Sequence, residues 1–267
     1  MRISAPEAIE GEQFERTVSL IDHSEEDAYM IDIFRIIGGS DHARFLHSYA
    51  GELTTEGLNL EEAEEYGHET LMRHFRCDKN PPSGWSADWK IDNELAEIPP
   101  ESDIHLRTID VTTGAVAYTA EAWVTTGFRE IKTQELWIPR LMTRRQGTAP
   151  LHSTFVSLIE PYEGTSKIKA IKRLTLEEED GTPCSDSQVA VEIELISGQR
   201  DLLIALDSHK RPTSVHQPDW DVDLSADLCW VRRDVNDQLK KVTLTKGTLK
   251  IGDFTLETDS EFIEKSL

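Results

Sequence analysis

The sequence predicts an all-β protein, a large antiparallel β-sandwich. Three observations predict it. Short β-rich runs separated by turn residues recur along nearly the whole chain. One of them, Val189–Ser197, alternates Val189, Val191, Ile193 and Leu195 with Ala190, Glu192 and Glu194, the period of two that a strand with one wet face requires. Finally, a single stretch, Asn59–Cys77, reads as helix, and its apolar spacing is poor and broken by Gly67.

The strands follow in order. Thr17–Ile21 and Tyr29–Ile37 are separated by the polar turn His23–Asp27, and Arg44–Tyr49 is expected to answer the second across Gly38-Gly39 as a hairpin. Ile104–Asp110, Ala115–Val124 and Ile131–Met142 come next, the last leading into the basic Thr143–Gly147. Ser153–Glu160, Ile168–Leu176, Val189–Ser197 and Leu202–Asp207 continue the pattern. Leu228–Arg233, Lys241–Leu244, Thr248–Ile251 and Phe254–Thr258 read as short hairpin strands turned at Lys246-Gly247 and Gly252-Asp253. With no internal repeat and no linker composition, residues 1–267 read as one domain. Residues 59–90 read as a long excursion from the sheets, partly helical or irregular.

Composition narrows the class of partner. The 267 residues are 38% hydrophobic and 29% charged, the balance of a globular chain. The formal charge is −22, concentrated toward the N-terminus: residues 1–103 hold 24 acidic and 8 basic side chains, a net of −16. Such a field repels nucleic acid, anionic membranes and polyanions unless a local basic cleft overrides it. Solubility or salt adaptation explains the same charge. No apolar run reaches the roughly 18–20 residues of a membrane helix, and Met1–Glu12 lacks the apolar core of a signal peptide. Cys77, Cys184 and Cys229 have no zinc or redox spacing and read as unrelated thiols. No phosphate loop, nucleophile elbow or His-Glu-x-x-His motif occurs, and no metal site or cofactor is expected.

The polar residues of Tyr29–His47 draw most attention. Asp32 shares a strand face with Met30, Phe34 and Ile36, and Arg35 shares the other with Ile31, Ile33 and Ile37. A buried Asp or Arg needs a partner. His42 and His47, five apart in a strand, point to opposite faces and do not ligate one metal together without a bulge. Two roles fit this set: a salt-bridged structural hairpin, or a substrate-facing role for His42 or His47. His68 and His74 are six apart, not a helical ligand spacing. His209 and His216 precede the alternating aspartates of Asp219–Asp223, which lack the glycine and distal glutamate of a calcium loop.

Several segments, in order, resemble the C-terminal β-sandwich of heparinase II/III-like polysaccharide lyases. Gly11–Asp22 (GEQFERTVSLID) is similar to the strand that introduces that sandwich. Tyr29–Ser48 (YMIDIFRIIGGSDHARFLHS) is similar to the family's Y-V-V-D-V-F-R-V-x-G-G-x-x-H segment. Ile104–Arg107, Thr143–Gly147 and Ser153–Tyr162 match later segments. The resemblance implies a super-sandwich fold and an uronate polysaccharide as ligand. It also implies an N-terminal helical toroid, in the same or a separate chain, that carries the catalytic Tyr and Asn or His; the parent family is periplasmic or secreted. The family's His-x-His-x-Asp and His-Asn positions have no counterpart here, so the chain is expected to be non-catalytic alone and to support the sugar cleft. The alternative is a stand-alone carbohydrate-binding or assembly module. As a complete lyase it would need a base, for which His42, His47 and Tyr49 are the candidates, and a group to neutralise the uronate carboxylate. Arg35, Trp85 and Trp89 are the candidate substrate-binding residues, the tryptophans for their flat apolar faces. Trp123 and Trp137 have the same faces.

Overall fold

The computed structural model of the protein describes residues 1–66, 70–124 and 136–267. The described chain is all-β, and every strand pairing in it is antiparallel. It divides into two compact units, Met1–Ser166 and Lys167–Leu267, where the sequence alone reads as one domain. The boundary falls in the four-residue polar turn Gly164-Thr165-Ser166-Lys167 between two strands, too short to stand out in the sequence as a linker.

In the first unit the strands are β1 (Arg2–Ser4), β2 (Gly11–Asp22), β3 (Ala28–Gly38), β4 (Asp41–His47), β5 (Gly51–Glu56) and β6 (Glu61–Glu62). They continue with β7 (Met72–Asp78), β8 (Trp85–Ile91), β9 (Ile104–Asp110), β10 (Val116–Val124), β11 (Leu136–Gln146) and β12 (Leu151–Glu163). Seven of them form one sheet in the order β1-β2-β3-β12-β9-β8-β5, and five form a second, β4-β11-β10-β7-β6. Trp85, Ala87 and Trp89 of β8 pack with Ala117 of β10 and Leu141 of β11, which sets the two sheets face to face. Trp89 is fully buried, and its indole N–H donates to the Pro139 carbonyl of the opposite sheet at 3.2 Å. The other face of the five-stranded sheet carries Met72, Phe75, Ala120, Ala122 and Met142, covered in part by Ala63 and Tyr66.

Two expectations are corrected in this unit. β3 and β4 do not form a hairpin: β3 pairs with β2 and β12, and β4 pairs with β11 in the other sheet. Gly38-Gly39 is therefore a corner between sheets. Gly39 lies at φ +42, and a Cβ on Gly38 (φ +150) would sit 2.9 Å from the Gly11 Cα, so both positions demand glycine. Nor is 59–90 an excursion, because β6, β7 and β8 are sheet strands within it. A bulge hides β7 from the sequence. His74, at φ +56, and Phe75 together oppose Ala120, since Arg76 pairs with Thr119 and Arg73 with Glu121. Met72 and Phe75 thus share a face at a spacing of three, which imitates a helix. His68 lies outside the described residues, as do the first five residues of the expected strand Ile131–Met142.

The second unit holds β13 (Ile168–Leu174), β14 (Val189–Leu195), β15 (Arg200–Ala205), β16 (Val215–Gln217) and β17 (Val222–Leu224). β18 (Leu228–Arg233), β19 (Leu239–Ile251) and β20 (Phe254–Ser266) complete it. One sheet runs β13-β14-β15-β18-β19-β17-β16, with β20 along the remaining edge of β19. Lys246-Gly247, expected to turn a hairpin, is instead a bulge inside the long β19, while the turn at Gly252-Asp253 joins β19 to β20. Its core includes Ala190, Leu202, Ile204, Val222, Val231 and Leu244, so the face of β14 read as wet is only partly so. All three cysteines are free thiols.

Trp89→Ala is expected to destabilise the first unit by about 3–5 kcal/mol, through the cavity it leaves between the sheets. Chemical denaturation measures this; a loss near zero would contradict the placement of Trp89.

Candidate functional site

β4 is an edge strand, and its two faces meet different surroundings. On the inner face Arg44 reaches across the sandwich. Its Nη2 lies 2.8 Å from Asp32 Oδ2 on β3 and donates to Ser157 Oγ on β12 at 2.6 Å. From β2, two residues from Val18, the register partner of Asp32, Arg16 donates through Nε and Nη2 to the two Asp32 oxygens at 2.7 and 3.0 Å. Asp32 is 0% exposed and receives two guanidinium groups. This hydrogen bonding raises the Arg16 guanidinium further above its ordinary range. Asp110 of β9 stands 3.5 Å from Arg44 Nη1 and accepts from the Thr112 amide at 2.8 Å. Burial raises its carboxyl above the usual range, against the pull of Arg44.

The structural role of the charged set is thus the one observed for Asp32, Arg35 and His42. Arg35 faces away from Asp32, as the strand period requires, and its Nη1 pairs with Glu15 at 3.4 Å; it is 1% exposed and presents nothing to a solvent-borne ligand. His42 is buried, with Nδ1 2.8 Å from Ser153 Oγ and Nε2 2.9 Å from the Gly38 carbonyl. A carbonyl only accepts, so Nε2 carries the hydrogen and Nδ1 accepts from the serine. Burial holds the imidazole below its ordinary range, neutral, as a clamp on the Gly38-Gly39 corner.

The outer face of β4 differs. Phe45 and His47 stand there, 37% exposed and exposed respectively. The pairing of β4 with β11 sets His47 opposite Arg140 and Ala43 opposite Arg144. The Arg140 guanidinium lies over the Phe45 ring at 5.6 Å, Phe45 meets Tyr66 edge-on at 5.5 Å, and Arg144 covers Tyr66 at 4.7 Å. Arg144 is held by both oxygens of Asp41, whose carboxyl it keeps below the usual range. Arg140 has no carboxylate partner among the described residues. Its closest polar contact is Met72 Sδ at 4.0 Å, and its buried Nε donor makes no hydrogen bond. His47 donates from Nδ1 to the Ser48 carbonyl at 3.0 Å, which leaves Nε2 as the acceptor nitrogen. The result is a cation without an anion among the described residues, an aromatic face and an imidazole side by side on a sheet edge.

The remaining candidates are dispersed. Tyr49 is 55% exposed in the turn after β4. Trp85 and Trp89 are core residues whose faces are not open for stacking, which removes both as sugar platforms. Trp123 is 38% exposed, and Trp137 has the Arg73 guanidinium 4.0 Å over its ring. His74 contacts Glu121 at 3.2 Å, and His216 pairs with Asp223 at 2.8 Å between β16 and β17. Among the described residues, no group of three His, Cys, Asp or Glu side chains is disposed to hold a metal ion.

Arg140, Arg144 and Tyr66 escape a local reading of the sequence because strand pairing, not proximity in the chain, assembles them. The period-two run Ile138, Arg140, Met142, Arg144 is the signal that puts both arginines on one face. A second polar cluster also escapes it: Asp88 accepts from the Tyr162 hydroxyl at 2.5 Å and lies 2.5 Å from His105 Nδ1, with the two rings stacked at 4.8 Å. Burial, then the bond to Asp88, pushes the Tyr162 phenol up, which suits a hydrogen-bond donor and not a base. No protein-family model matches this chain, and no curated protein matches it.

Asp32→Asn strips the charge that both guanidiniums share and is expected to cost about 3–5 kcal/mol of stability. Asp110→Asn behaves oppositely. With its folded-state carboxyl raised, the folded chain binds that proton more readily than the unfolded chain, so stability falls as pH rises from the ordinary carboxylate range through the folded value. The variant is therefore expected to melt at or above the parent temperature at neutral pH, with its advantage vanishing in acid. Thermal melts across pH check both; a lower neutral-pH melting temperature for Asp110→Asn would contradict the assignment.

Proposed function

We propose that this chain is the β-sandwich portion of a heparinase II/III-like polysaccharide lyase, one that holds an acidic polysaccharide against the β4 edge while a helical toroid performs the elimination. The observation that carries this reading is Arg140. Its guanidinium has an unmet buried donor and no carboxylate partner among the described residues, and it lies over Phe45 opposite His47. A uronate carboxylate supplies an anion for the guanidinium through its Nη groups, and a pyranose ring supplies an apolar face for Phe45. In a chain of net charge −22, such a patch is the local basic surface that a polyanion requires. The in-order resemblance of Gly11–Asp22, Tyr29–Ser48, Ile104–Arg107, Thr143–Gly147 and Ser153–Tyr162 to that family supports the same reading.

Within it, the arrangement does little chemistry alone. His42 is occupied by Ser153 and Gly38, and among the described residues no carboxylate or hydroxyl orients His47 as a base. The chain is expected to bind polymannuronate or polygalacturonate in low salt, to ignore neutral dextran, and to yield no unsaturated product alone. Arg140→Gln is expected to weaken binding about tenfold or more, the worth of a hydrogen bond to a charged group. Affinity electrophoresis in polymer-containing gels, with ultraviolet detection of unsaturated product, makes the test. Equal retention by dextran, or an Arg140→Gln chain that binds unchanged, contradicts the proposal; product from the unaccompanied chain contradicts the division of labour.

A further inference from the structure

We propose that a second binding site lies where the edge strand β4 meets β2 and β3, sharing only Phe45 with the proposed polymer face, and takes a small aromatic monocarboxylate. A cavity of about 270 Å³ opens there, walled by Phe14, Phe34, Phe45 and Ile3 and bounded by Arg16 and Arg44. Its lining contains two guanidinium groups and no carboxylate. Asp32 is fully buried and outside the lining, where it accepts two N–H groups of Arg16 and ion-pairs with Arg44, so the charged groups that line the cavity are cations. Arg16 commits Nε and Nη2 to Asp32; its side chain remains 53% exposed, and Nη1 has no partner among the described residues. That donor, at the mouth of a mostly apolar cavity, fits one carboxylate oxygen.

Size and shape define the rest of the ligand. At about 270 Å³ and partly open to solvent, the cavity has room for a single ring bearing one carboxylate. Phe14 and Phe34 already meet edge to face, at 5.0 Å and 80°, and Phe45 closes the far wall. A flat ring between them continues the edge-to-face packing that aromatic groups prefer. Phe14, Phe34, Arg16 and Arg44 belong to this site alone, and Phe45 is the one residue it shares with the face of His47 and Arg140.

Benzoate is the probe, titrated into the full chain and followed by saturation-transfer NMR. Benzyl alcohol keeps the ring without the charge, and acetate keeps the charge without the ring; each is expected to bind at least about tenfold more weakly than benzoate. Arg16→Gln is expected to lower benzoate affinity about tenfold, and Phe34→Ala to abolish the transfer. The comparison of three ligands on the unaltered chain stands even if a variant fails to fold. No transfer to benzoate, benzyl alcohol binding as tightly as benzoate, acetate displacing it at equal concentration, or a folded Arg16→Gln chain with full affinity would each overturn the proposal.

Discussion

The first unit depends on one interaction, the reach of Arg44 from the five-stranded sheet to Asp32 in the seven-stranded one. Placing a carboxylate at 0% exposure between two sheets is unfavourable unless cations and donors surround it. Arg16 supplies the second cation, Ser157 takes a further Arg44 donor, and Asp110 balances the far side of the guanidinium. The network also fixes β4. Because Arg44 is anchored inward, the strand period turns Phe45 and His47 outward, and the pairing with β11 then decides that Arg140 lies beside them. The inner ion network thereby sets the geometry of the outer face without lying on it.

This division explains why the most conspicuous polar residues of the chain are not those with unmet chemistry. Asp32, Arg35 and His42 stand out in the sequence because charge among apolar neighbours is unusual, and the same burial obliges them to find partners within the fold. Arg140 does not stand out: it is an arginine in a strand that leads into two more. Its distinction is a missing partner, which only three-dimensional placement reveals. Among the described residues the missing partner is an anion, and the aromatic ring beside Arg140 favours a ligand with both an anionic group and an apolar face.

The fold class was legible because period-two alternation and turn residues are local signals, as in Val189–Leu195 and at Gly252-Asp253. The partner of each strand was not. Gly38-Gly39 has the composition of a hairpin turn, yet glycine freedom serves a sheet-to-sheet corner equally well, and nothing local separates the two. The bulge at His74-Phe75 removed the alternation of β7 and left a helical spacing behind. At the site, the opposition of His42 and His47 followed from strand geometry alone. The tryptophans show the converse: Trp85 and Trp89, four apart, share a strand face, and that face is the core.

A direct test of the central claim, that the outer face of β4 reads an anionic polymer, is backbone and side-chain NMR during titration with a defined oligouronate. The expected shifts cluster at Phe45, His47, Tyr66 and Arg140, with the Arg140 guanidinium moving furthest as it gains its anion. Shifts confined to the second unit, or centred on Asp88, His105 and Tyr162 while Arg140 stays still, would contradict it.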